Sequence, residues 1–327
     1  MTADVLAPPS LPAAAELVAE HATGWQRTTV HRVPDGSFLW WHRPGARRRG
    51  PLTTPAAALP AVQSAVGAAH LALPSAVGDG LLYRAHGPRS AAGWLGDPRP
   101  VVGALVADAL ASAGRALRAM HQMSPPTSAV PEGPPGPARL RSWLTGAALR
   151  SAAATRLLVH LRSSWGGQRI DTIVDWSRRL RDTSADATAP APRLLHGGAS
   201  LAALVPPVSR GRPGALLTGE ELSAGDPEAD LGWLVGELAE MRWNGRRTGL
   251  DRLVPHDHTA LQRVLLDAYG PEHDGPAVAR AAVLRVVTHL HDFAAYMDWT
   301  DELFAYSAFA AELIDSEGAN ALPGAAG

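Results

Sequence analysis

Apolar residues recur along this chain with two different periods, and the change between them divides it in two. Residues 26–44, QRTTVHRVPDGSFLWWHRP, place β-branched and aromatic runs on either side of Pro34-Asp35-Gly36. That composition predicts a hairpin with a turn at its centre. Upstream, LPAAAELVAEHA predicts a proline-bounded helix within residues 1–25. Alanine-rich residues 55–73 predict a second helix, and Leu81 to Tyr83 a short strand running into Arg84-Ala85-His86-Gly87. From Val102 the period becomes helical: Val106, Leu110, Ala113, Leu117 and Met120 form one stripe ending at His121.

The rest of the chain keeps the helical period, with interruptions. Proline-rich residues 122–138 predict a linker or surface loop. Helices follow around 139–160 and 168–182, the second with Ile170, Ile173, Val174 and Leu180 as its apolar positions, and residues 183–192 break the pattern again. Three stripes come later: Leu231, Leu234, Val235 and Leu238; Leu261, Val264, Leu265 and Ala268; Val283, Val286, Val287 and Leu290. A last helix is expected over 299–315, then a frayed tail. The pattern predicts an α+β chain, a small mixed lobe followed by a large helical one.

Composition removes several classes of chemistry. A formal net charge of -1 offers no field to attract nucleic acid or an anionic membrane. With 0 cysteines there are no disulfides, thiolate metal sites or cysteine nucleophiles. The alanine-rich stretch 51–78 is too weakly apolar and too often broken to span a membrane, and the N-terminus lacks the charged start of a signal peptide. A cytoplasmic location is the expectation. The chain also has no lysine, so all 30 basic residues are arginine. No P-loop lysine, Schiff-base lysine or lysine base is available.

Residues 194–231 carry the one stretch with a recognisable arrangement. A short strand ends in His196-Gly197, a second strand follows a turn, and Gly225-Asp226-Pro227 feeds a helix in which Asp230 comes early. Asp226 suits a helix cap, Pro227 the first turn and Glu228 the helix dipole. The arrangement resembles the catalytic centre of aminoglycoside phosphotransferase and choline-kinase-like enzymes, within the protein-kinase-like family. In layout the resemblance covers residues 27–315, and in recognisable letters 194–235. It implies a bilobal protein-kinase-like fold: a small lobe with its leading helix over 1–87, a helical lobe over 88–316 and a flexible tail over 317–327. It also implies a framework role for His196, Gly197, Gly225, Asp226, Pro227 and Asp230, the last hydrogen-bonding back to the catalytic-loop backbone.

The same resemblance exposes what is missing. Those enzymes place an aspartate directly after His-Gly, an asparagine five residues later and an aspartate at the end of the second strand. Here the three positions hold Gly198, Ala203 and Thr218. The only asparagines are Asn244 and Asn320, and the small-lobe helix offers Gln63 where a glutamate would pair with the absent lysine. Magnesium and phosphate binding both rest on these groups. The expectation is a degenerate pseudokinase without cofactor or metal, acting as a binding, scaffolding or activating subunit for a partner enzyme or a peptide. It resembles the kinase-like components encoded beside actinomycete peptide natural-product pathways, in which Ser and Thr of a precursor peptide are dehydrated.

Two alternatives remain open. A divergent phosphotransferase could use Glu220 or Glu221 as a shifted metal ligand, with arginine in the lysine's role. A small-molecule binding protein could reuse the old cleft. Trp40 and Trp41, adjacent in a strand and so facing opposite ways, and the cluster Arg47, Arg48 and Arg49 are the expected interaction residues. His256-Asp257-His258 and His289-Leu290-His291-Asp292 read as caps and helix-face residues rather than a metal site, and Ser200 as a loop serine.

Overall fold

The computed structural model describes residues 12, 14–66, 71–126, 130–148, 151–180, 191–208, 211–254 and 256–324. The small lobe begins with β1 (Glu16–Ala22), β2 (Gln26–Arg32) and β3 (Phe38–Pro44), all antiparallel. The hairpin expected over 26–44 is β2 and β3. The helix expected within 1–25 is not formed over 16–22: that segment pairs with the outer edge of β2, and Arg27 adds an ion pair to Glu20. An open strand edge must find hydrogen-bond partners, and this requirement overrides an alanine-rich helical pattern. The first part of that expected helix, residues 1–11 and 13, lies outside the described residues.

The lobe continues through α1 (Leu59–Val66), β4 (Leu71–Ala72), β5 (Ser75–Val77) and β6 (Gly80–Ala85), and its sheet order is β1-β2-β3-β6-β5. The helix expected over 55–73 is therefore shorter, because Leu71 and Ala72 are extended.

The large lobe holds α2 (Ala91–Trp94), α3 (Pro100–His121), α4 (Pro135–Leu144) and α5 (Ala152–Arg179), the last broken at Gly166 (φ 72°). Pro135 starts α4 inside the expected proline-rich loop, as proline can in a first helical turn. Four short strands follow: β7 (Arg193–Leu195), β8 (Leu204–Val205), β9 (Ala215–Leu217) and β10 (Ser223–Gly225). Then come α6 (Glu228–Thr248), α7 (His258–Tyr269), α8 (Gly275–Tyr296) and α9 (Glu302–Asp315). β10 pairs with β7, while β9 lies between β8 and β4, so a small-lobe segment joins a large-lobe sheet.

Helix α3 is long and apolar enough to cross a membrane by length and composition, but Val106, Leu110 and Leu117 are wholly buried in the lobe core. Within the expected frayed tail, residues 317–324 are described, and Ala321 is docked. Ala321 is fully buried and its carbonyl accepts a hydrogen bond from Gln262 Nε2 at 2.8 Å.

A second core lies beneath the small-lobe sheet. Val30, Phe38, Trp40, Leu81, Tyr83 and Ala85 pack there against Val205, Ala215 and Leu217 of the large lobe. The two lobes are joined by continuous apolar packing beneath the sheet.

Candidate functional site: the interlobe cleft

The framework of the site converges on Asp230, in the first turn of α6. Its carboxylate accepts from the His196 N–H at 2.7 Å, the Gly197 N–H at 2.8 Å and His121 Nε2 at 3.1 Å. Tyr269 closes the chain by donating its hydroxyl to His121 Nδ1, 3.0 Å away. Burial works against the Asp230 charge, yet these donors, His121 foremost, hold its pKa below the ordinary carboxylate range. His196 Nε2 donates to the Leu217 carbonyl at 3.1 Å, tying β7 to β9. Asp226 accepts from the Glu228 N–H at 3.2 Å at the start of α6. These contacts align the two strand ends on which a kinase-like centre is built.

The positions to which the sequence resemblance assigns the chemistry, 198, 203 and 218, hold no carboxylate or amide. A Cβ added at Gly198 would lie 1.7 Å from Glu221 Oε2, so the Glu221 carboxylate already stands in the space a side chain there would need. Gly197 is similarly committed: its φ is +81°, and a Cβ would fall 1.7 Å from the Glu221 carbonyl. Ala203 borders the cleft with no polar side-chain atom. Thr218 is wholly buried, and its hydroxyl donates to the Leu216 carbonyl at 2.9 Å. Gln63 is exposed and does not line the cleft cavity.

On β3 the residue that borders the cleft is His42, whose ring centroid lies 5.0 Å from that of Tyr83. Burial lowers the His42 pKa to about 4, so it is neutral at physiological pH. Burial, then the nearby Glu220 and Glu221, pushes the Tyr83 hydroxyl well above its ordinary value.

Both glutamates are paired. Glu220 forms a close ion pair with Arg48, and Glu221 lies 3.5 Å from Arg139, which also reaches Asp292 at 3.3 Å. Burial opposes the Arg139 charge, but Asp292 and Glu221 outweigh it and keep the guanidinium fully protonated. Arg48 and Arg139 both lie over the ring of Trp25, at 4.2 and 4.9 Å from its centroid, and Trp25 meets Tyr296 at 5.0 Å. The β1–β2 turn is latched onto the end of α8. The Gly24 N–H donates to the Tyr296 carbonyl at 3.0 Å, and Arg47 pairs with Asp298 at 2.8 Å.

The segment joining the lobes is also engaged. Trp40 Nε1 donates to the Gly87 carbonyl at 2.9 Å, and the Val208 N–H donates to that of His86 at 3.0 Å. A Cβ at Gly87 would lie 2.0 Å from the Pro206 carbonyl. What remains open is a cavity of about 360 Å³ over His196 and Gly198, edged by Thr23, Gln26, Thr28 and His42.

The interaction residues read from sequence fall mostly inside. Trp40 and Trp41 are 3% and 6% exposed, the first in the interlobe core and the second under Arg43, 4.1 Å from its ring. Arg47 and Arg48 are engaged within the chain, while Arg49 is exposed. The histidine runs do not meet: His256 donates to the Asp97 carbonyl, Asp257 caps α7, His289 pairs with Glu240 and His291 with Asp292. Among the described residues no group of three or more such side chains could hold a metal ion. Sequence reasoning missed Trp25, Arg139 and Tyr296. Trp25 follows a segment taken as helix, and Arg139 stands at the edge of a predicted loop, so neither had a visible neighbour across the cleft.

No family model matches the sequence, and no curated protein matches it. Solved structures do. The chain is 14% identical to a putative aminoglycoside phosphotransferase from Ralstonia eutropha, covering 96% of this chain and 94% of that one, with a TM-score of 0.51. It is 10% identical to an ethanolamine kinase from Plasmodium vivax, covering 94% of this chain and 85% of that one, with a TM-score of 0.54. At such identities the likeness is one of fold, and it runs nearly end to end.

Proposed function

The chain has the protein-kinase-like fold of aminoglycoside phosphotransferases and ethanolamine kinases, and on that premise we propose that it binds rather than phosphorylates. In this reading it is a catalytically inactive kinase-like subunit that scaffolds or activates a partner enzyme or holds a peptide. The setting that fits the resemblance is actinomycete peptide biosynthesis with Ser/Thr dehydration. The observation that carries the proposal is the apolar core that joins the two lobes beneath the sheet. Trp40 seals the joining segment at Gly87, and the core beneath the sheet is continuous with Val205 and Leu217. The remaining cavity supports it too, since no lysine or arginine lines it and its β3 histidine is neutral. A triphosphate placed there would have to compete with Glu220 and Glu221 for Arg48 and Arg139, the cations already paired with them. Titration calorimetry of the full chain with Mg·ATP is expected to give no binding heat. Micromolar binding with turnover of ATP would overturn the proposal.

One observation favours a second reading. Glu221 delivers a carboxylate into the space beside Gly198, where a divergent phosphotransferase would need one. Its pairing with Arg139 argues against a free base or metal ligand. Replacing Glu221 or Glu220 with alanine separates the readings: loss of a nucleotide-dependent activity supports the transferase, and unchanged partner binding supports the scaffold. A small ligand in the residual cavity would show instead as a ligand-dependent rise in melting temperature without product.

A further inference from the structure

A second cavity, sharing no lining residue with the cleft, opens between α6, α8 and α9. Its volume is about 360 Å³, and Trp243, Phe293 and Tyr306 supply an aromatic side to a lining that also holds Met241 and Leu303. Trp243 is stacked at 5.6 Å on Tyr306 and at 4.7 Å on Phe309, which fixes the plane of that wall. The size falls at the lower end of small-molecule sites, roughly 300–1,000 Å³.

An oriented imidazole stands beside these rings. His289 Nδ1 lies 2.8 and 2.9 Å from the two carboxylate oxygens of Glu240, with the Tyr306 hydroxyl at 3.2 Å. An ionised carboxylate can only accept, so Nδ1 carries a hydrogen, and a ring with that single proton presents Nε2 as an acceptor. Nε2 has no hydrogen-bond partner among the described residues, and the side chain is 39% exposed. A simple staple between α6 and α8 would not need this pair. Arg285 and Glu237, one turn away, already form a close and well-buried one. At the rim Arg247 and Glu302 are paired to each other, so a charged ligand would have to break that contact first.

From this arrangement we infer that the α6–α8–α9 cavity binds a small uncharged aromatic molecule of the phenol or indole class, which donates one hydrogen bond to His289 Nε2. The ring lies against the aromatic wall, and the donor selects the ligand. Fluorine NMR on the full chain tests this with 4-fluorophenol and with 4-fluoroanisole, which has a similar shape and no donor. The phenol is expected to bind with a submillimolar Kd and the anisole about tenfold more weakly, the size of one hydrogen bond. His289→Phe is expected to abolish that preference. Since this variant strands Glu240 and could fail to fold, Thr300→Trp gives an independent check: Thr300 is exposed at the cavity edge, and the larger ring is expected to block both probes. Equal affinity for the two probes, binding unchanged in Thr300→Trp, or no binding of the phenol at about 1 mM would overturn the inference.

Discussion

Gly198 and Glu221 form a pair in which the absence of one side chain makes room for the other. A Cβ at position 198 would sit 1.7 Å from Glu221 Oε2, so restoring an aspartate there should be resisted. Gly198→Asp is expected to lower stability by about 2 kcal/mol in urea unfolding, and adding Glu221→Ala should recover most of that loss. An additive double variant would mean the two positions are not coupled. Asp230 is the opposite case, a single carboxylate serving three donors. Asp230→Asn turns a donor group toward that cluster, and a loss of about 3 kcal/mol is expected by the same measurement.

His42 adds a pH dependence. Its pKa is lowered from 6.5 to about 4, so the folded chain resists a proton that the unfolded chain takes up. Its contribution is complete above pH 6.5 and disappears as the pH falls through about 4. Urea midpoints measured across that window should therefore fall less in His42→Gln than in the parent chain. At this scale sequence reading assigned Gly198, Ala203 and Thr218 by their spacing from His-Gly and Gly-Asp-Pro. It did not reveal that Glu221 fills the gap, since that contact depends on a turn rather than on spacing.

At the level of elements, the helical stripes were the most legible part. Leu231, Leu234, Val235 and Leu238 on α6, and Val283, Val286, Val287 and Leu290 on α8, are all fully buried. How closely those helices approach was not visible. A Cβ at Gly232 would lie 2.3 Å from the Ala281 Cβ, and one at Gly236 would lie 2.6 Å from the Ala282 carbonyl. Gly232→Ala should therefore push the helices apart. Although alanine is the better helix former, a net loss of about 2 kcal/mol is expected, measured as a lower melting temperature. The same comparison explains β1. Its local composition favours a helix, but the edge of β2 offers a ladder of backbone partners. Local propensity of a few tenths of a kcal/mol per residue yields to such a demand.

At the scale of the whole molecule, the lobes are fastened from both sides. Beneath the sheet the interlobe core joins them, and at the mouth Gly24, Trp25, Arg47 and Arg48 hold the β1–β2 turn against the cleft and α8. Arg47 is the exposed member of that latch, so Arg47→Ala should loosen it without disturbing the core. Faster hydrogen exchange at the Gly24 amide, with the melting temperature nearly unchanged, is the expected result. The division into a β-rich small lobe and a helical large lobe was determined by the sequence alone, because the period of its apolar positions changes where the lobes meet. The lack of lysine, and of carboxylates or asparagine at positions 198, 203 and 218, was equally plain from composition and spacing. Only the tertiary structure decided what stands in their place. Trp40 against Gly87, Glu221 over Gly198 and Arg139 between Glu221 and Asp292 join residues far apart in the chain. Contacts of that range depend on how packed elements meet, and no local pattern encodes them.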